Sequence, residues 1–375
     1  MTRTADAIVV GGGLHGCSAA LHLARRGRKV VVVEKNSVGR HASGVNAGGV
    51  RRLLRALPEI PLSCAAMEMW HHIGDLVGDD CGFKVSGQVA VAETAAGFEG
   101  LRARAAEVAA LGYGHEELID ADELYRLLPA LKPGCVGGLV SRADGFASPY
   151  HTTMAFRAAA IRAGVVVLED TRALGFRRAG GTWSVETSAG ALQAPVLINC
   201  GGAWAARVAA ALGETVPLEP IAPMMMVTAP MAHFVDPVVI GVERKLSFKQ
   251  AANGTVVIGG GHRGVPDLDN DSSSVDFRKL VISATTVGTL FPVMRGAQLV
   301  RSWSGIESRL PDDIPVIGPS ATQDGAFHAF GFAGHGFQLG PVVGAILAEL
   351  IDTGVTNLPI GPFAITRFTP TGVAA

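Results

Sequence analysis

Three glycines near the start of the chain, Gly11, Gly13 and Gly16, have the spacing G-x-G-x-x-G, and an acid follows at Glu34. Residues of these types at this spacing bind the pyrophosphate of a dinucleotide. The first glycine permits a tight turn, the second lets the backbone approach the phosphates, and the third lets a helix pack closely on a sheet. The carboxylate of Glu34 would accept hydrogen bonds from ribose hydroxyls, and its charge would repel a 2′-phosphate. The motif predicts a dinucleotide site and leaves nicotinamide and flavin dinucleotides equally open.

The elements that must position these residues are indicated by the flanking sequence. Apolar runs at 7–10 and 29–33 predict two short buried strands, and small and apolar residues at helical intervals over 17–26 predict the helix between them. The N-terminus of that helix would face the phosphates with free N–H groups and the positive end of its dipole. The order of strand, glycine turn, helix, strand and acid is that of a Rossmann-type unit.

Three later stretches also combine glycine with small residues, which permits close contact with a flat, polar group. A helix predicted from about Pro341 to Ile351 follows the last of them. Its N-terminus would stabilise the negative charge that an isoalloxazine ring gains at N1 and O2 on reduction. Together with the first motif, these stretches predict one long cofactor that crosses the protein. They are the loop 35–52, the Gly201-Gly202 step after a strand, and Gly334-His335-Gly336 after another strand.

Composition bounds the class of protein. The chain has 375 residues, enough for two domains, since single cores seldom grow beyond ~250–300 residues. Its net charge of −1 gives no indication of a nucleic-acid partner. The five cysteines lack a C-x-x-C pair, which disfavours zinc and iron–sulfur sites, and no metal site is predicted. No apolar run reaches the ~18 residues of a membrane span, and the early glycine motif leaves no room for a signal peptide, so a cytoplasmic location is expected.

The expected fold class is α/β. A Rossmann-type cofactor-binding domain is interleaved with a substrate domain built on a mixed, largely antiparallel β-sheet, because strands outnumber helices between residues 217 and 303. The cofactor-binding domain is predicted to comprise 1–82, 136–216 and 309–375. The substrate-binding domain is predicted to comprise 83–135 and 217–308.

With these motifs in place, the chain resembles the flavoprotein family of D-amino-acid oxidases, glycine oxidase and sarcosine oxidases over nearly its whole length. Within that family it is most similar to the β subunits of hetero-oligomeric sarcosine oxidases, dye-linked proline dehydrogenases and opine or hydroxyproline dehydrogenases, chiefly through the stretch 40–51. The resemblance is carried by the N-terminal motif with Glu34, Ser43-Gly44 with Asn46-Ala47-Gly48-Gly49, Asn199 to Trp204, Pro311-Asp312 with Pro315 to Gly318, and Gly334-His335-Gly336.

The resemblance implies an FAD-binding domain, FAD as cofactor, and oxidation of the C–N bond of a small amino or imino acid. Such substrates include proline, hydroxyproline, sarcosine, a D-amino acid or an opine. Hydride would pass from the substrate Cα to flavin N5, and the imine would then hydrolyse. The resemblance also implies partner subunits with further redox centres, including FMN at a subunit interface. Two other functions stay open: oxidation of a C–O bond, as in 2-hydroxy acid or glycerol-3-phosphate dehydrogenases of this fold, and a non-catalytic flavin subunit that relays electrons.

Three positions depart from the family pattern. The flavin-linking cysteine and the carboxylate-binding lysine of monomeric sarcosine oxidases correspond to Gly305 and Gln338, and the carboxylate-binding arginine of glycine oxidase corresponds to Glu307. Gly305 cannot form a thioether, so the FAD is expected to be non-covalent. Carboxylate recognition must then pass to other residues, and the fork of an arginine suits a carboxylate well. The candidate substrate-binding residues are Arg51, Arg52, Lys249, Arg263 and Gln338.

The candidate catalytic residues are His262, Glu307 and His335. His262 ends a predicted strand of the substrate sheet, Glu307 would favour a substrate with an added cationic or hydroxyl group, and His335 borders the flavin. Hydride transfer from a neutral amine needs no obligatory base, so positioning alone could supply the rate. The predicted cofactor-binding residues are Gly11, Gly13, Leu14, His15, Gly16, Glu34, Lys35, His41, Ala42, Ser43, Asn46, Ala47, Gly48, Gly49, Cys200, Gly201, Gly202, Trp204, Gly305, Gly334, His335, Gly336, Phe337 and Gln338.

Overall fold

The computed structural model of the protein describes residues 3–368. No helix within that range combines the length and the hydropathy needed to cross a bilayer. Short 3₁₀-helices span Leu57–Glu59, Gly202–Trp204, Pro292–Gly296, Gly361–Phe363 and Ile365–Phe368. The α-helices are α1 (Leu14–Arg25), α2 (Ala42–Val45), α3 (Ile60–His71), α4 (Ile73–Val77), α5 (Ala95–Ala110), α6 (Ala121–Leu127), α7 (Pro149–Arg162), α8 (Ala205–Ala211), α9 (Phe277–Leu290) and α10 (Gly336–Thr353).

The strands fall into two principal sheets and several small ones. In chain order they are β1 (Arg3–Thr4), β2 (Ala7–Val10), β3 (Val30–Val33), β4 (Gly49–Val50), β5 (Lys84–Val85), β6 (Gln88–Ala92), β7 (Glu117–Asp120), β8 (Gly137–Ser141), β9 (Gly145–Phe146), β10 (Val166–Leu168), β11 (Ala173–Ala179), β12 (Thr182–Thr187), β13 (Gly190–Ala194), β14 (Val196–Asn199), β15 (Glu219–Ile221), β16 (Met224–Thr228), β17 (Val238–Gly241), β18 (Ser247–Gln250), β19 (Val256–Gly259), β20 (Val265–Asp267), β21 (Ser272–Ser274), β22 (Leu299–Ser304), β23 (Glu307–Arg309), β24 (Val316–Pro319) and β25 (Ala326–Phe330).

The first principal sheet has six strands in the order β10-β3-β2-β14-β25-β24, of which only the edge strand β24 runs antiparallel. Alternate residues of a strand point to opposite faces. Ala7 and Val9 accordingly pack on the side of α1, α7 and α10, whereas Ile8 and Val10 pack under the small sheet β1-β13-β12-β11. Burial on both faces explains why these strands are continuous apolar runs. Because β2, β3, β14 and β25 are parallel, the loops that follow them meet at one edge.

The second principal sheet has eight strands in the order β22-β16-β19-β18-β17-β6-β8-β7. All neighbours are antiparallel except β17 and β6. Helix α9 covers one part of it, and their shared core includes Met224, Met226, Phe248 and Phe291. The predicted α/β class, with a mixed and largely antiparallel second sheet, is confirmed.

Two element boundaries differ from the sequence prediction. Strand β8 pairs with β6 and β7, so it belongs to the second sheet, although the predicted boundary at residue 136 placed it in the cofactor domain. The sequence of β8 is compatible with either sheet, so it did not indicate to which sheet the strand belongs. Helix α10 begins at Gly336 rather than near Pro341 and contains that proline. An internal proline costs about 3 kcal/mol, and the close packing of Gly340 on Leu14 and of Gly344 on Ser18 in α1 offsets this cost.

Candidate functional site

The glycine turn joins β2 to α1 at the carboxyl edge of the six-stranded sheet. Gly11 has a φ of 106°, which favours glycine, and a Cβ there would lie 2.7 Å from the carbonyl carbon of Cys200. A Cβ on Gly16 would overlap the Gly11 carbonyl oxygen, so α1 packs directly against the turn. The amide of Leu14, the first residue of α1, donates to Ser43 Oγ at 2.9 Å. The first-turn amides of a helix lack intrahelical acceptors, and here they face the space above the turn where a phosphate would bind.

Glu34 follows β3 beside this turn. Its Oε2 accepts a hydrogen bond from the Gly12 amide at 2.7 Å, and its Oε1 accepts one from the Asn36 amide at 2.9 Å. Burial raises the pKa of the carboxyl group, and the two amides oppose that shift. Each carboxylate oxygen has two lone pairs, so both oxygens can accept a further bond from a ribose hydroxyl. The acid is therefore fixed in the position that the predicted role requires.

The glycine-rich loop after Glu34 is held between the two principal sheets. Asn46 Nδ2 donates to the Ala42 carbonyl at 2.9 Å and closes the short helix α2. From the second sheet, Trp303 Nε1 donates to the Val45 carbonyl at 2.8 Å. A Cβ at Gly305 would overlap the Val45 side chain, so this glycine permits the loop to approach the sheet. Gly305 thus serves the packing of the loop and does not line the cavity beneath it.

A cavity of about 480 Å³ lies at the edge where these loops meet. It brings together stretches from the start, the middle and the end of the chain. Within the part of the chain that the structure describes, no group of three or more His, Cys, Asp or Glu side chains could hold a metal ion. The predicted cofactor residues in the lining are Gly11, Gly13, Leu14, His15, Glu34, Lys35, His41, Ala42, Ser43, Asn46, Cys200, Gly201, Gly202, Trp204, Gly334, Gly336 and Phe337.

Two histidines in the lining show that the cavity fits a flat, polar group. The Nε2 atoms of His15 and His41 are buried and have no hydrogen-bond partner among residues 3–368. Burial lowers the pKa of His15 to about 3 and that of His41 to about 4, so both rings are neutral at physiological pH. The His15 ring stacks on Phe332 at 3.8 Å, and His41 packs against Trp204 at 4.8 Å. Unpaired nitrogens beside flat rings and a glycine cradle match the needs of a flavin dinucleotide.

Sequence reasoning missed one wall of the cavity, the segment 171–176, which follows β10 and includes the start of β11. The Thr171 amide donates to the Glu34 carbonyl at 2.8 Å, which places this segment beside the acid predicted to bind the ribose. No motif marks it. The available signal was the parallel pairing expected between β10 and β3, since the loops after two adjacent parallel strands lie together. Other lining residues that were missed include Ser37, Gly39, Arg40, Ile306, Ser308, Gly331 and Phe332.

The loop 334–336 forms the other end of the cavity, immediately before α10. Glu307, the first residue of β23, lines the cavity and accepts a hydrogen bond from the Gly334 amide at 2.5 Å. Burial raises the pKa of Glu307 to about 7. On the opposite side, Nδ1 of His335 lies 2.8 Å from Oε2 of Glu59. One carboxyl group from each side therefore holds this loop.

All four predicted substrate cations, Arg51, Arg52, Lys249 and Arg263, lie outside the cavity lining. Arg52 forms an ion pair with the fully buried Asp144, with 3.0 Å between Nε and Oδ1. Lys249 is 8% exposed. Its Nζ donates to the Ala147 carbonyl at 3.3 Å and lies 4.2 Å from the centre of the Phe146 ring. Burial lowers the pKa of Lys249 to about 7, so this side chain is only partly charged near neutrality.

Arg51 and Arg263 flank the loop 334–336, and neither forms an ion pair with a residue that the structure describes. Arg51 donates from Nη1 to the Leu53 carbonyl. Its carbonyl accepts a hydrogen bond from Ser63 Oγ at 3.3 Å, and the same hydroxyl bonds Gln338, three positions after His335. Burial, the largest effect, raises the pKa of Glu307, and the charge of Arg263 lowers it.

Gln338 and His262 take positions other than those predicted. Gln338 is fully buried and exchanges hydrogen bonds with Ser63, donating to its carbonyl at 2.8 Å and accepting from its hydroxyl at 3.0 Å. The structure thus assigns Gln338 to the contact between α3 and α10 instead of the substrate site. Gln338 follows Gly336 by two helical residues, so its side chain points about 200° around the helix axis from the position of Gly336. His262 lies outside the lining, and its carbonyl accepts from the Met224 amide at 3.0 Å. The remaining predicted residues outside the lining are Gly16, Ala47, Gly48, Gly49 and the side chain of His335.

The raised pKa of Glu307 predicts a pH-dependent stability. The folded protein keeps a proton on this carboxyl group up to a pKa of about 7, whereas the unfolded chain releases it near its ordinary value. The native state then binds more protons in that interval, so stability falls as the pH rises through it. Between pH of about 6 and 8 we expect the Tm of the wild type to fall about 2 °C further than that of Glu307→Gln. Calorimetry of both proteins across this range measures the difference, and equal slopes would contradict the assignment.

Comparison with known proteins gives a consistent result. The family model described as FAD dependent oxidoreductase matches residues 6–350. The chain is 26% identical over 383 residues to glycine oxidase of Geobacillus kaustophilus, with 98% of each chain covered. It is 25% identical to sarcosine oxidase subunit beta of Rhodobacter capsulatus, over 97% of this chain and 88% of that subunit. The crystal structure of L-proline dehydrogenase from P. horikoshii superposes with a TM-score of 0.91 at 25% identity and covers 98% of both chains.

The range of the family match includes every residue that lines the cavity. The glycine turn, the acid after β3 and the loop before α10 line one cavity, and all three lie within the matched range. The resemblance inferred from the sequence motifs is therefore confirmed, as are FAD as the cofactor and the assignment as an enzyme. The chain belongs to the family of FAD-dependent oxidoreductases.

Proposed function

We propose that the protein oxidises the C–N bond of a small amino or imino acid, with FAD as the hydride acceptor. The observation that carries this proposal is the position of Arg51 beside the cofactor cavity: its carbonyl accepts from Ser63 Oγ, which also bonds Gln338 in the first turn of α10, and its guanidinium group forms no ion pair with a residue in 3–368. A cation at that point suits a substrate that carries a carboxylate next to the reacting bond. Glycine, sarcosine and proline, which appear in the names of the similar proteins, share this chemistry.

Arg51 is the preferred carboxylate ligand among the predicted cations. Arg52 is already neutralised by Asp144, and Lys249 loses its charge near neutral pH because it is buried. Arg263 lies on the side of Glu307, where a carboxylate would meet a second acidic group. Glu307 is instead suited to a hydroxyl or cationic substituent of the substrate, as in a hydroxyproline or an opine.

Bound FAD supplies the hydride acceptor, and the protein supplies position and charge. The N-terminus of α10 presents its positive end to the loop 334–336, which favours negative charge at that point. The neutral rings of His15 and His41 offer hydrogen bonds without adding charge. Arg51 would orient the substrate by binding its carboxylate. Positioning of this kind is the main contribution that hydride transfer from a neutral amine requires.

We further propose that the chain works as the catalytic β subunit of a dehydrogenase complex located in the cytoplasm. Support comes from its similarity along nearly its full length to a protein named as a β subunit. In such a complex the electrons pass to a redox centre on a partner subunit, and FMN at the subunit interface is one such centre. Chromatography of flavin released by denaturation separates FAD from FMN, and native mass spectrometry of the purified assembly identifies partner chains.

The substrate class is tested by anaerobic reduction of the FAD-loaded protein. We expect the visible flavin absorption to bleach on addition of at least one amino or imino acid from a panel of proline, hydroxyproline, sarcosine, D-amino acids and opines. Lactate, 2-hydroxyglutarate and glycerol-3-phosphate serve as controls and should leave the spectrum unchanged. Bleaching by a hydroxy compound alone would instead show C–O oxidation. Reduction only by a partner protein would show an electron-relay subunit, and peroxide formation by the isolated chain in air would show an oxidase.

A further inference from the structure

A buried acid that the sequence did not single out contacts the loop at the end of the cavity. Glu59 ends the 3₁₀-helix Leu57–Glu59, just before α3, and its side chain is 0% exposed. Its Oε2 lies 2.8 Å from Nδ1 of His335, 276 positions away in the chain. Its Oε1 has no hydrogen-bond partner among the described residues. A fully buried carboxylate with one oxygen unpaired costs stability, which indicates a role other than packing.

The charges around Glu59 determine its protonation. Burial favours the neutral acid, but His335 and the guanidinium groups of Arg55 and Arg51 together hold the pKa of Glu59 below its ordinary value. Glu59 is therefore ionised near neutral pH. Arg55 is 2% exposed, and its Nη1 also lacks a partner among residues 3–368. The acid thus sits in a small, dry cluster of charges beside the cavity.

An ionised carboxylate can only accept hydrogen bonds, so the hydrogen between Glu59 and His335 must reside on Nδ1 of the imidazole. Burial, reinforced by Arg55 and Arg51, lowers the pKa of His335, so the ring is neutral. In that tautomer Nε2 carries a lone pair and accepts protons. Nε2 has no hydrogen-bond partner among the described residues, and the side chain remains 18% exposed. Gly334 and Gly336, the neighbours of His335 in the chain, line the cofactor cavity, whereas His335 lies outside that lining and contacts Glu59 beside it. A substrate held by Arg51 would meet the ring on that side.

We propose that Glu59 is a positioning residue that fixes the tautomer of His335, and that Nε2 of His335 accepts a proton from the substrate ammonium group. The proposal rests on the proposed function, because an amino or imino acid is mostly protonated on nitrogen near neutral pH. One N–H bond of the substrate breaks and one N–H bond forms at Nε2. The substrate nitrogen keeps the electron pair, which then assists departure of hydride from Cα. The imidazolium is stabilised by Glu59 until it returns the proton to solvent through its exposed edge.

The groups that face His335 decide whether this transfer is possible. Glu59 stabilises the protonated ring, whereas Arg51 and Arg55 destabilise it. His15, whose Cε1 lies against Gly336, is neutral, and Glu307 bonds the Gly334 amide on the far side. When a substrate carboxylate neutralises Arg51, one of the opposing charges is removed. The pKa of His335 should therefore rise on substrate binding, when a proton acceptor is needed.

The tautomer is tested without substrate by ¹⁵N NMR of the FAD-loaded protein labelled at histidine, with the His335 signals identified by their loss in His335→Asn. We expect the hydrogen on Nδ1 in the wild type. In Glu59→Gln the amide can donate to Nδ1, so the hydrogen should move to Nε2. If Glu59→Gln fails to fold, Glu59→Asp is the alternative. It keeps the charge and should therefore retain the wild-type tautomer. A hydrogen on Nε2 in the wild type would overturn the proposal whatever the substrate proves to be.

The proton transfer is tested by the rate of anaerobic flavin reduction as a function of pH. With a substrate found by the bleaching panel, Glu59→Gln should slow reduction about 100-fold near neutral pH. The loss should shrink as the pH approaches the pKa of the substrate amine, because the free amine needs no acceptor, and the dissociation constant should change little. Glu214→Gln is the matched control, since Glu214 pairs with the buried His328 at 2.7 Å away from the cavity lining. A loss in Glu59→Gln that is uniform with pH would overturn the proposal. If no amino or imino acid bleaches the flavin, the proposed function fails, and the NMR result still decides the role of Glu59.

Discussion

Replacement of Gly11 by alanine should strongly weaken FAD binding. The glycine has a φ of 106°, and a Cβ at this position would lie 2.7 Å from the carbonyl carbon of Cys200, in the loop that forms the opposite wall of the cavity. The left-handed backbone alone costs an L-residue about 1–2 kcal/mol. Relief of the overlap must also move the turn away from Cys200 and carry the first turn of α1 with it. Since the phosphate site is built from those amides, we expect the Kd for FAD to rise at least ~100-fold, equivalent to about 2.8 kcal/mol. Fluorescence titration of the apoprotein with FAD measures it.

Gly27 offers a matched control for this substitution. It also has a positive φ, of 80°, but a Cβ there would meet no atom within 4 Å, and the residue lies past the far end of α1. Gly27→Ala should therefore show the backbone cost as a lower Tm while the Kd for FAD stays within about two-fold of the wild type. Equal Kd values for the wild type and Gly11→Ala, in a folded protein, would show that the glycine turn does not form the phosphate site.

Replacement of Arg51 by methionine should have the second-largest effect, on substrate binding. The charge of Arg51 acts on His335, and its guanidinium group forms no ion pair with a residue in 3–368, so we expect a substrate carboxylate to be its partner. Removing one member of a buried, charge-assisted pair costs ~2–5 kcal/mol, so we expect the Kd for the amino-acid substrate to rise ~100-fold. Anaerobic titration followed by flavin absorption gives this constant. The corresponding amine without a carboxylate should bind equally to both proteins.

Two companion variants sharpen this result. Arg51→Lys keeps the charge but loses the two-pronged geometry, so it should recover only part of the affinity. Arg263→Met removes the other cation that flanks the loop and should leave the Kd nearly unchanged. If Arg263→Met weakens binding and Arg51→Met does not, the carboxylate binds on the side of Glu307, and the orientation of the substrate is reversed.

The sequence by itself determined the cofactor and predicted the end of the cavity at which its ribose binds. The glycine spacing, the flanking apolar runs and Glu34 lie within one short stretch, and a contiguous strand, turn and helix form the site. The motifs at Gly201-Gly202 and Gly334-Gly336 could also be identified from the sequence, because each is a strand followed by small residues and a helix. Parallel strands bring such loops to one edge of the sheet without further information.

The tertiary structure alone decided which side chains reach the substrate end. Gln338 and His335 are three positions apart in the chain, yet one bonds Ser63 within the packing of α3 against α10 and the other meets Glu59. The contact of Gln338 with Ser63 depends on the rotation of Gln338 about the axis of α10. The contact of His335 with Glu59 depends on the packing of two segments that are distant in the chain. Neither contact follows from residue type or spacing, because long-range packing determines the partner of a side chain and local periodicity does not. The motifs therefore identified FAD, and the fold selected Arg51, Glu59 and His335 as the residues to test.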